Sequence, residues 1–236
     1  MLRLGLKMTG FVVTANRLKK AKKIEAVLKD FFHKADIENQ RVLDIGCGSG
    51  LISEYFAKNN KVYCVDIEDH LLLPKGETVL FKKMDSERIP FEEKYFDIVI
   101  SNHVIEHIKE QNLHLKEIRR VLKTGGVCYL ATPNRNFPVE PHYKVPFINY
   151  FSNEVFHRVL KIVGKYKEDL FLLKYSSMIQ LFEANDFDYF EYTNIILRRP
   201  SEFFLEKQFT RFIPLFFLDV IKTCSPTNIF VLRKTL

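Results

Sequence analysis

The spacing of apolar positions changes several times along the chain, and each change marks an element. Residues 16–34 place Leu18, Ile24, Val27, Leu28, Phe31 and Phe32 near helical spacing with lysines between them, which predicts an amphipathic helix. RVLDIG, beginning at Arg41, is a short apolar run closed by glycine, as a buried strand would be. SGLISEYFAKNN reads as a helix that stops at Asn59-Asn60, and KVYCVDIE as a second strand. TVLFKKMD and KYFDIVISN supply a third and a fourth. HIKEQNLHLKEIRRVLKTGG is predicted as a helix capped at its C-terminus by Gly125-Gly126, and VCYLATPN as a fifth strand. Strands alternating with helices at this spacing predict a doubly wound α/β protein with a mostly parallel sheet and helices on both faces.

After Pro133 the pattern breaks. Pro138, Pro141 and Pro146 precede an aromatic segment, FINYFSNEVFHRVLKIVGKY, that reads as an insertion between core elements. SSMIQLFEANDF then predicts a helix, DYFEYTNIIL a strand, and TNIFVLRK a closing strand. Residues 201–222 are helix-like and dense in phenylalanine (Phe203, Phe204, Phe209, Phe212, Phe216 and Phe217), suiting a core, a dimer surface or a wall toward a greasy substrate or membrane. The expected organisation is one domain: a basic helical region at 1–37, a core at 38–134, an insert or lid at 135–175, and a C-terminal helix and strands at 176–236.

Charge adds one feature. The formal net charge of +7 over 236 residues is concentrated at the start: residues 1–34 hold nine Lys/Arg and two Asp/Glu, and the rest is balanced. That is a solvated helix face or an arm for phosphates or an anionic membrane. The four cysteines are far apart with no zinc spacing, so reduced thiols are expected. No apolar run approaches a membrane span and no leader is legible at the start, so a cytoplasmic protein is expected.

The chemistry concentrates in VLDIGCGSG at 42–50. A strand running into a bare turn and then a helix leaves backbone N–H groups converging on one spot, with no Cβ atoms to keep a ligand off. The spacing is Asp44-x-Gly46-x-Gly48-x-Gly50, with a carboxylate two positions before the first glycine. That carboxylate repels a pyrophosphate and suits an ammonium group. Asp66 ends the second strand, where an acid accepts from ribose hydroxyls. Asp85 ends the third, where a carboxylate can accept from an adenine amino group. A ligand that is adenosine-like at one end and zwitterionic at the other, as S-adenosylmethionine (SAM) is, fits all three.

VLDIGCGSG, VYCVDIE, KKMDSERIPF, FDIVISNHVIEHI and VLKTGGVCYLATPN together, across about residues 38–134, resemble the class I SAM-dependent methyltransferases, in the small-molecule and quinone-biosynthesis-like branch. The resemblance implies a Rossmann-like sheet of seven strands, the last antiparallel, with SAM as cofactor and S-adenosylhomocysteine as product. It implies that Asp44, Gly46, Cys47, Gly48 and Gly50 line the methionine end and the turn, that Asp66 and Ile67 contact the ribose, that Asp85 and Ser86 lie at the adenine, and that Asn102 lies near the sulfonium.

Candidate catalytic bases are His103, His107 and His142, since histidine titrates near neutrality. His103 to His107 also spells H-x-x-E-H, a zinc-protease pattern, but it falls where the methyltransferase fold expects a cofactor-facing loop, and no metal is expected. Arg135, Glu140, His142 and Tyr143 begin the insert and are able to contact a polar substrate. The expected activity is methyl transfer to an oxygen of a small or lipid-like acceptor, with an anionic membrane as a peripheral contact surface. The rivals are an RNA methyltransferase using the basic N-terminal arm, a non-catalytic SAM-binding protein, and a nicotinamide dehydrogenase. Against base methylation, Ser101-Asn102-His103-Val104 lacks the [DN]-P-P-[FYW] that amino-methylating enzymes carry, and no Pro-Cys pair exists.

Overall fold

Strands that are apolar on both faces must be covered on both faces, and the helices of this chain divide to do so. The computed structural model describes residues 2–72, 79–84, 88–139, 143, 145–205 and 225–235, with side chains from residue 14 onward. Its strands are β1 Arg41–Ile45, β2 Lys61–Asp66, β3 Val79–Lys83, β4 Phe96–Asn102, β5 Leu122–Pro133, β6 Phe187–Glu191 and β7 Thr227–Lys234. Its helices are α1 Leu2–Phe32, α2 Leu51–Ala57, α3 Gln111–Val121, α4 Asn153–Ile162, α5 Tyr175–Ala184 and α6 Thr193–Arg198, with 3-10 turns at Ile105–His107 and Ile148–Tyr150. The described strands form one seven-stranded sheet in the order β3-β2-β1-β4-β5-β7-β6. β1 to β5 are mutually parallel, and β7 runs antiparallel to β5 and β6. This is the Rossmann-like, doubly wound seven-stranded sheet, mostly parallel with an antiparallel last strand, that the sequence predicts.

Alternation along each strand separates the two layers. Val42, Val62, Ile98, Ile100, Val127, Tyr129 and Val231 face a core closed by Ala21, Ile24, Val27 and Leu28 of α1 with Ile52 and Phe56 of α2. Leu43, Val65, Val99, Leu130, Phe230 and Leu232 face Leu115 and Ile118 of α3 with Met178 and Phe182 of α5. The order turns back on itself between β1 and β4, which opens a crevice at the carboxyl ends of those two strands.

Three sequence expectations change. The glycine pair does not cap α3: the helix stops at Val121, and Leu122 is extended (φ −70°, ψ 138°) because it pairs with Phe96 of β4. The ladder resumes at Ile98 with Val127, so residues 123–126 loop out of register, with Gly125 at φ +75° in the turn. DYFEYTNIIL is not one strand, since β6 ends at Glu191 and Thr193–Arg198 coil into α6. There Thr193 Oγ1 accepts from Ile229 N at 2.9 Å, and Ile196 is buried in the α1 layer. Helix α1 also begins well before residue 16. Of the Phe-rich stretch, Phe203 is buried and Phe204 half exposed, while Phe209, Phe212, Phe216 and Phe217 lie outside the described residues.

The segment after β5 builds a small core of its own from Tyr143, Ile148, Phe156, Leu160, Leu170 and Leu172. Arg135 ties it together, donating to the carbonyls of Asn149, Phe151 and Leu172 and to Asn153 Oδ1 at 2.8–3.3 Å.

In the α3/α5 layer, Phe230 lies at the centre, unexposed, with its ring 5.1 Å from that of Phe182. Phe230→Ala is expected to cost about 3–5 kcal/mol, read as a drop in thermal midpoint of about 10 °C by calorimetry.

Candidate functional site

The crevice is walled by the exits of β1, β2 and β4. Chain direction reverses just after β1, and Gly46 N and Cys47 N donate to Val65 O at 2.8 and 3.3 Å, pinning the turn to β2. Gly46 lies at φ +66°, and a Cβ placed there would meet Val104 Cγ2 at 2.6 Å. So the loop leaving β4 packs directly on the turn leaving β1, which only a bare backbone permits. Gly50, at φ +77°, opens α2, and Ser49 Oγ is buried in the turn without a hydrogen-bond partner among the described residues.

Asp44, 2% exposed, is the buried acid of the site. Its Oδ2 accepts from Ser53 Oγ of α2 at 2.6 Å. Burial pushes its carboxyl up to about 7, against the Ser53 hydrogen bond and the Arg17 charge, which favour the ionised form. Arg17 comes from α1: a Cβ on Gly48 would lie 3.9 Å from Arg17 Nη2. One turn further along α1, Lys20 is near enough to Glu106 for that carboxylate to favour its charged form, although burial lowers its pKa overall. The N-terminal helix therefore carries cations to the crevice.

Asp66 sits at the end of β2, with Oδ2 accepting from Gly48 N at 2.7 Å and Oδ1 from Glu68 N at 3.4 Å. Ile67 beside it is exposed. Cys47 is buried, and contact with the Cys64 thiol together with burial drives its own thiol pKa far up, so it stays protonated and offers the crevice main chain rather than a nucleophile. Asn102 ends β4, half buried. Asp85, Ser86, Glu140 and His142 lie outside the described residues.

His103 follows Asn102 in the left-handed region (φ +60°), held by its N–H to Ala131 O at 2.8 Å. Its Nδ1 is 3.2 Å from Oε1 of Glu106, whose side chain has no exposed surface. His107 turns the other way, with Nδ1 3.2 Å from Oε2 of Glu168 in the insert. The H-x-x-E-H residues thus diverge, and among the described residues no three His, Cys, Asp or Glu side chains gather to hold a metal ion. Behind β4, buried His114 stays neutral: burial lowers its pKa to about 4, and its Nε2 is 3.3 Å from Ser101 Oγ.

Two insert residues expected to meet a polar substrate are engaged elsewhere. Arg135 braces the insert, and Tyr143, 6% exposed, exchanges hydrogen bonds with the Glu168 backbone, donating to its carbonyl at 2.8 Å. Conversely, Arg17, Ser53, Glu106 and Thr132 were not legible as site residues. Arg17 is one cation in a lysine-rich run, and Ser53 is an ordinary helical serine until α2 folds back over β1.

The donor set matches a zwitterion joined to a ribose: an anion at Asp44, a cation at Arg17, a hydroxyl acceptor at Asp66, and an uncovered main chain between them. Comparison with known proteins agrees. Residues 43–130 match the family model described as a methyltransferase domain. The chain is 29% identical over 118 residues to a ubiquinone biosynthesis O-methyltransferase of Coxiella burnetii, covering 47% of this chain and 50% of that protein. It thus spans about half the length of the curated relatives it matches. Among solved structures it resembles the YcgJ protein of Bacillus subtilis (TM-score 0.54, 19% identity, 84% of this chain and 93% of that one). It also resembles a Haemonchus contortus phosphoethanolamine N-methyltransferase 2 solved with S-adenosylhomocysteine (TM-score 0.56, 21% identity, 89% and 52%). At these identities the structural likenesses speak for the fold.

Asp44 sets a pH dependence whose sign follows from its raised value. Between about pH 4 and about pH 7 the unfolded chain has released this proton and the folded one retains it, so stability falls as pH rises through that window. Thermal midpoints measured across it are expected to show that slope in the ligand-free protein, and Asp44→Asn to remove this component.

Proposed function

We propose that this chain is a class I SAM-dependent methyltransferase that transfers a methyl group to a hydroxyl of a small or lipid-like acceptor. The observation that carries the cofactor half is the opposite-charge pair Asp44 and Arg17 flanking the bare turn at Gly46 and Gly48. In this reading Asp44 receives the cofactor's ammonium group and Arg17 its carboxylate. Asp66 exchanges its contact with Gly48 N for the ribose hydroxyls, and Ile67 lies against the sugar. Asp85 and Ser86 serve the adenine, and Asn102 borders the reacting end. Gly46, Cys47, Gly48 and Gly50 supply the main chain between.

SAM, when bound, supplies a methyl already activated by its sulfonium charge. What remains for the protein is alignment and exclusion of water, which together are worth several orders of magnitude. A hydroxyl acceptor also benefits from a base, about 10²–10⁴-fold. Among the candidates, His103 stands at the β4 exit, His107 faces Glu168 at the edge of the insert, and His142 belongs to the segment between β5 and α4.

The acceptor half is supported by two observations. The curated relative from Coxiella burnetii acts, by name, at oxygen in ubiquinone biosynthesis, which points to phenolic or quinol-like hydroxyls. The insert carries Phe147, Tyr150 and Phe151 with more than half of each exposed, the first two rings stacked 6.4 Å apart. Exposed aromatics on a segment that follows β5 suit a greasy acceptor or the surface of a membrane that holds one. Among the described residues no helix is long and apolar enough to cross a membrane.

Two measurements test these halves. Arg17→Ala is expected to weaken S-adenosylhomocysteine binding about tenfold by titration calorimetry, the equivalent of about 1.5 kcal/mol for one charge-assisted hydrogen bond. Methyl-labelled SAM incubated with the protein and source-cell extract is expected to place label in the solvent-soluble lipid or small-molecule fraction, with Asp66→Ala as control. Label in a nuclease-sensitive fraction instead would make the basic N-terminal region an RNA arm.

A further inference from the structure

Glu106 occupies a place that a solvated helix face does not explain. Its side chain is fully buried beside the crevice, and both carboxylate oxygens are engaged. Oε2 accepts from Thr132 Oγ1 of β5 at 3.1 Å, and Oε1 lies 3.2 Å from His103 Nδ1. The main chain is held as well: Phe171 N of the insert donates to Glu106 O at 2.7 Å, within the 3-10 turn Ile105–His107. Lys20 of α1 adds a cation near the carboxylate. A buried charge supported from β5, α1 and the insert costs several kcal/mol to keep without such partners.

With Glu106 as a carboxylate, the form that the Lys20 charge and the Thr132 hydroxyl favour, the contact has one arrangement. A carboxylate accepts and does not donate, so the proton between Glu106 and His103 sits on Nδ1. Which nitrogen of a neutral imidazole carries the proton is set by the hydrogen bond the other makes. With Nδ1 protonated, Nε2 keeps its lone pair. The His103 ring is 26% exposed, and its backbone is held in the left-handed region at the exit of β4. We propose that Glu106, anchored by Thr132, is a positioning residue that holds His103 as the Nδ1–H tautomer and leaves Nε2 as the base toward the acceptor. This rests on the methyltransferase reading above. In the step, the acceptor oxygen forms its bond to the methyl carbon as the carbon–sulfur bond breaks. Sulfur retains the electron pair as a neutral thioether, and the hydroxyl proton passes to Nε2. His107 does not share this arrangement, because its partner Glu168 is 55% exposed and water competes for both.

The test reads the tautomer directly. Protein with ¹⁵N-labelled histidine is studied by long-range ¹H–¹⁵N correlation at about pH 8, where free histidine is neutral, and His103→Gln identifies the signal. His103 in the wild-type protein is expected to be a single tautomer with unprotonated Nε2. Glu106→Ala is expected to release it to a mixture of the two tautomers. If Glu106→Ala does not fold, Glu106→Gln serves instead, since its amide offers His103 a donor as well as an acceptor and the single tautomer is lost. A wild-type His103 protonated at Nε2, or a pure Nδ1–H form retained in Glu106→Ala, overturns the proposal. Failure of the wild-type protein to bind S-adenosylhomocysteine overturns the methyltransferase reading and leaves the tautomer result standing on its own.

Discussion

The contact between Gly46 and Val104 is the constraint on which the rest of the site depends. With 2.6 Å between the Val104 methyl and the place a Cβ would occupy, the exits of β1 and β4 close on each other as no other residue would allow. The closeness fixes where the β4 loop goes next, and so where Asn102, His103 and Glu106 stand relative to Asp44. On the other side of the turn α2 starts at Gly50, and its first turn brings Ser53 back to Asp44. Parallel strands supply the frame, but this one packing contact gives the crevice its shape.

Around that contact the chain has buried two carboxylates, Asp44 in the last pleat of β1 and Glu106 just beyond the end of β4. Each is costly alone, and each is partly offset by a hydroxyl and by a cation from α1: Ser53 and Arg17 for Asp44, Thr132 and Lys20 for Glu106. The first helix is thereby more than a cover for the α1/α2 layer. Its buried face, at Ala21, Ile24, Val27 and Leu28, sets the register with which Arg17 and Lys20 arrive one turn earlier. Binding and packing are coupled through a single helix.

The insert is joined to the same machinery by short links. Phe171 N reaches Glu106 O, Gln111 Nε2 reaches both Ile105 O and Phe171 O, and Glu168 reaches His107. Its own core is small, and Arg135 uses its donors to hold it together. The aromatic residues it leaves outside, Phe147, Tyr150 and Phe151, border the element that is linked to the candidate base.

By itself the sequence determined the alternation of strands and helices, the turn at 46–50 and the acid that ends β2, Asp66, because these follow from local period and from glycine spacing. The antiparallel β7 and the methyltransferase fold were legible from motifs in order. Tertiary structure decided what local pattern does not encode. Helix α3 stops at Val121 because Leu122 is claimed by a strand partner, Phe96, distant in sequence, and TNIILR coils because Thr193 meets β7. Arg17 became a site residue, and Arg135 and Tyr143 became braces, only once packing chose their neighbours. A side chain's charge and length are written in the sequence, but its role depends on which buried group lies within a few ångströms, and that is settled by contacts between residues far apart along the chain.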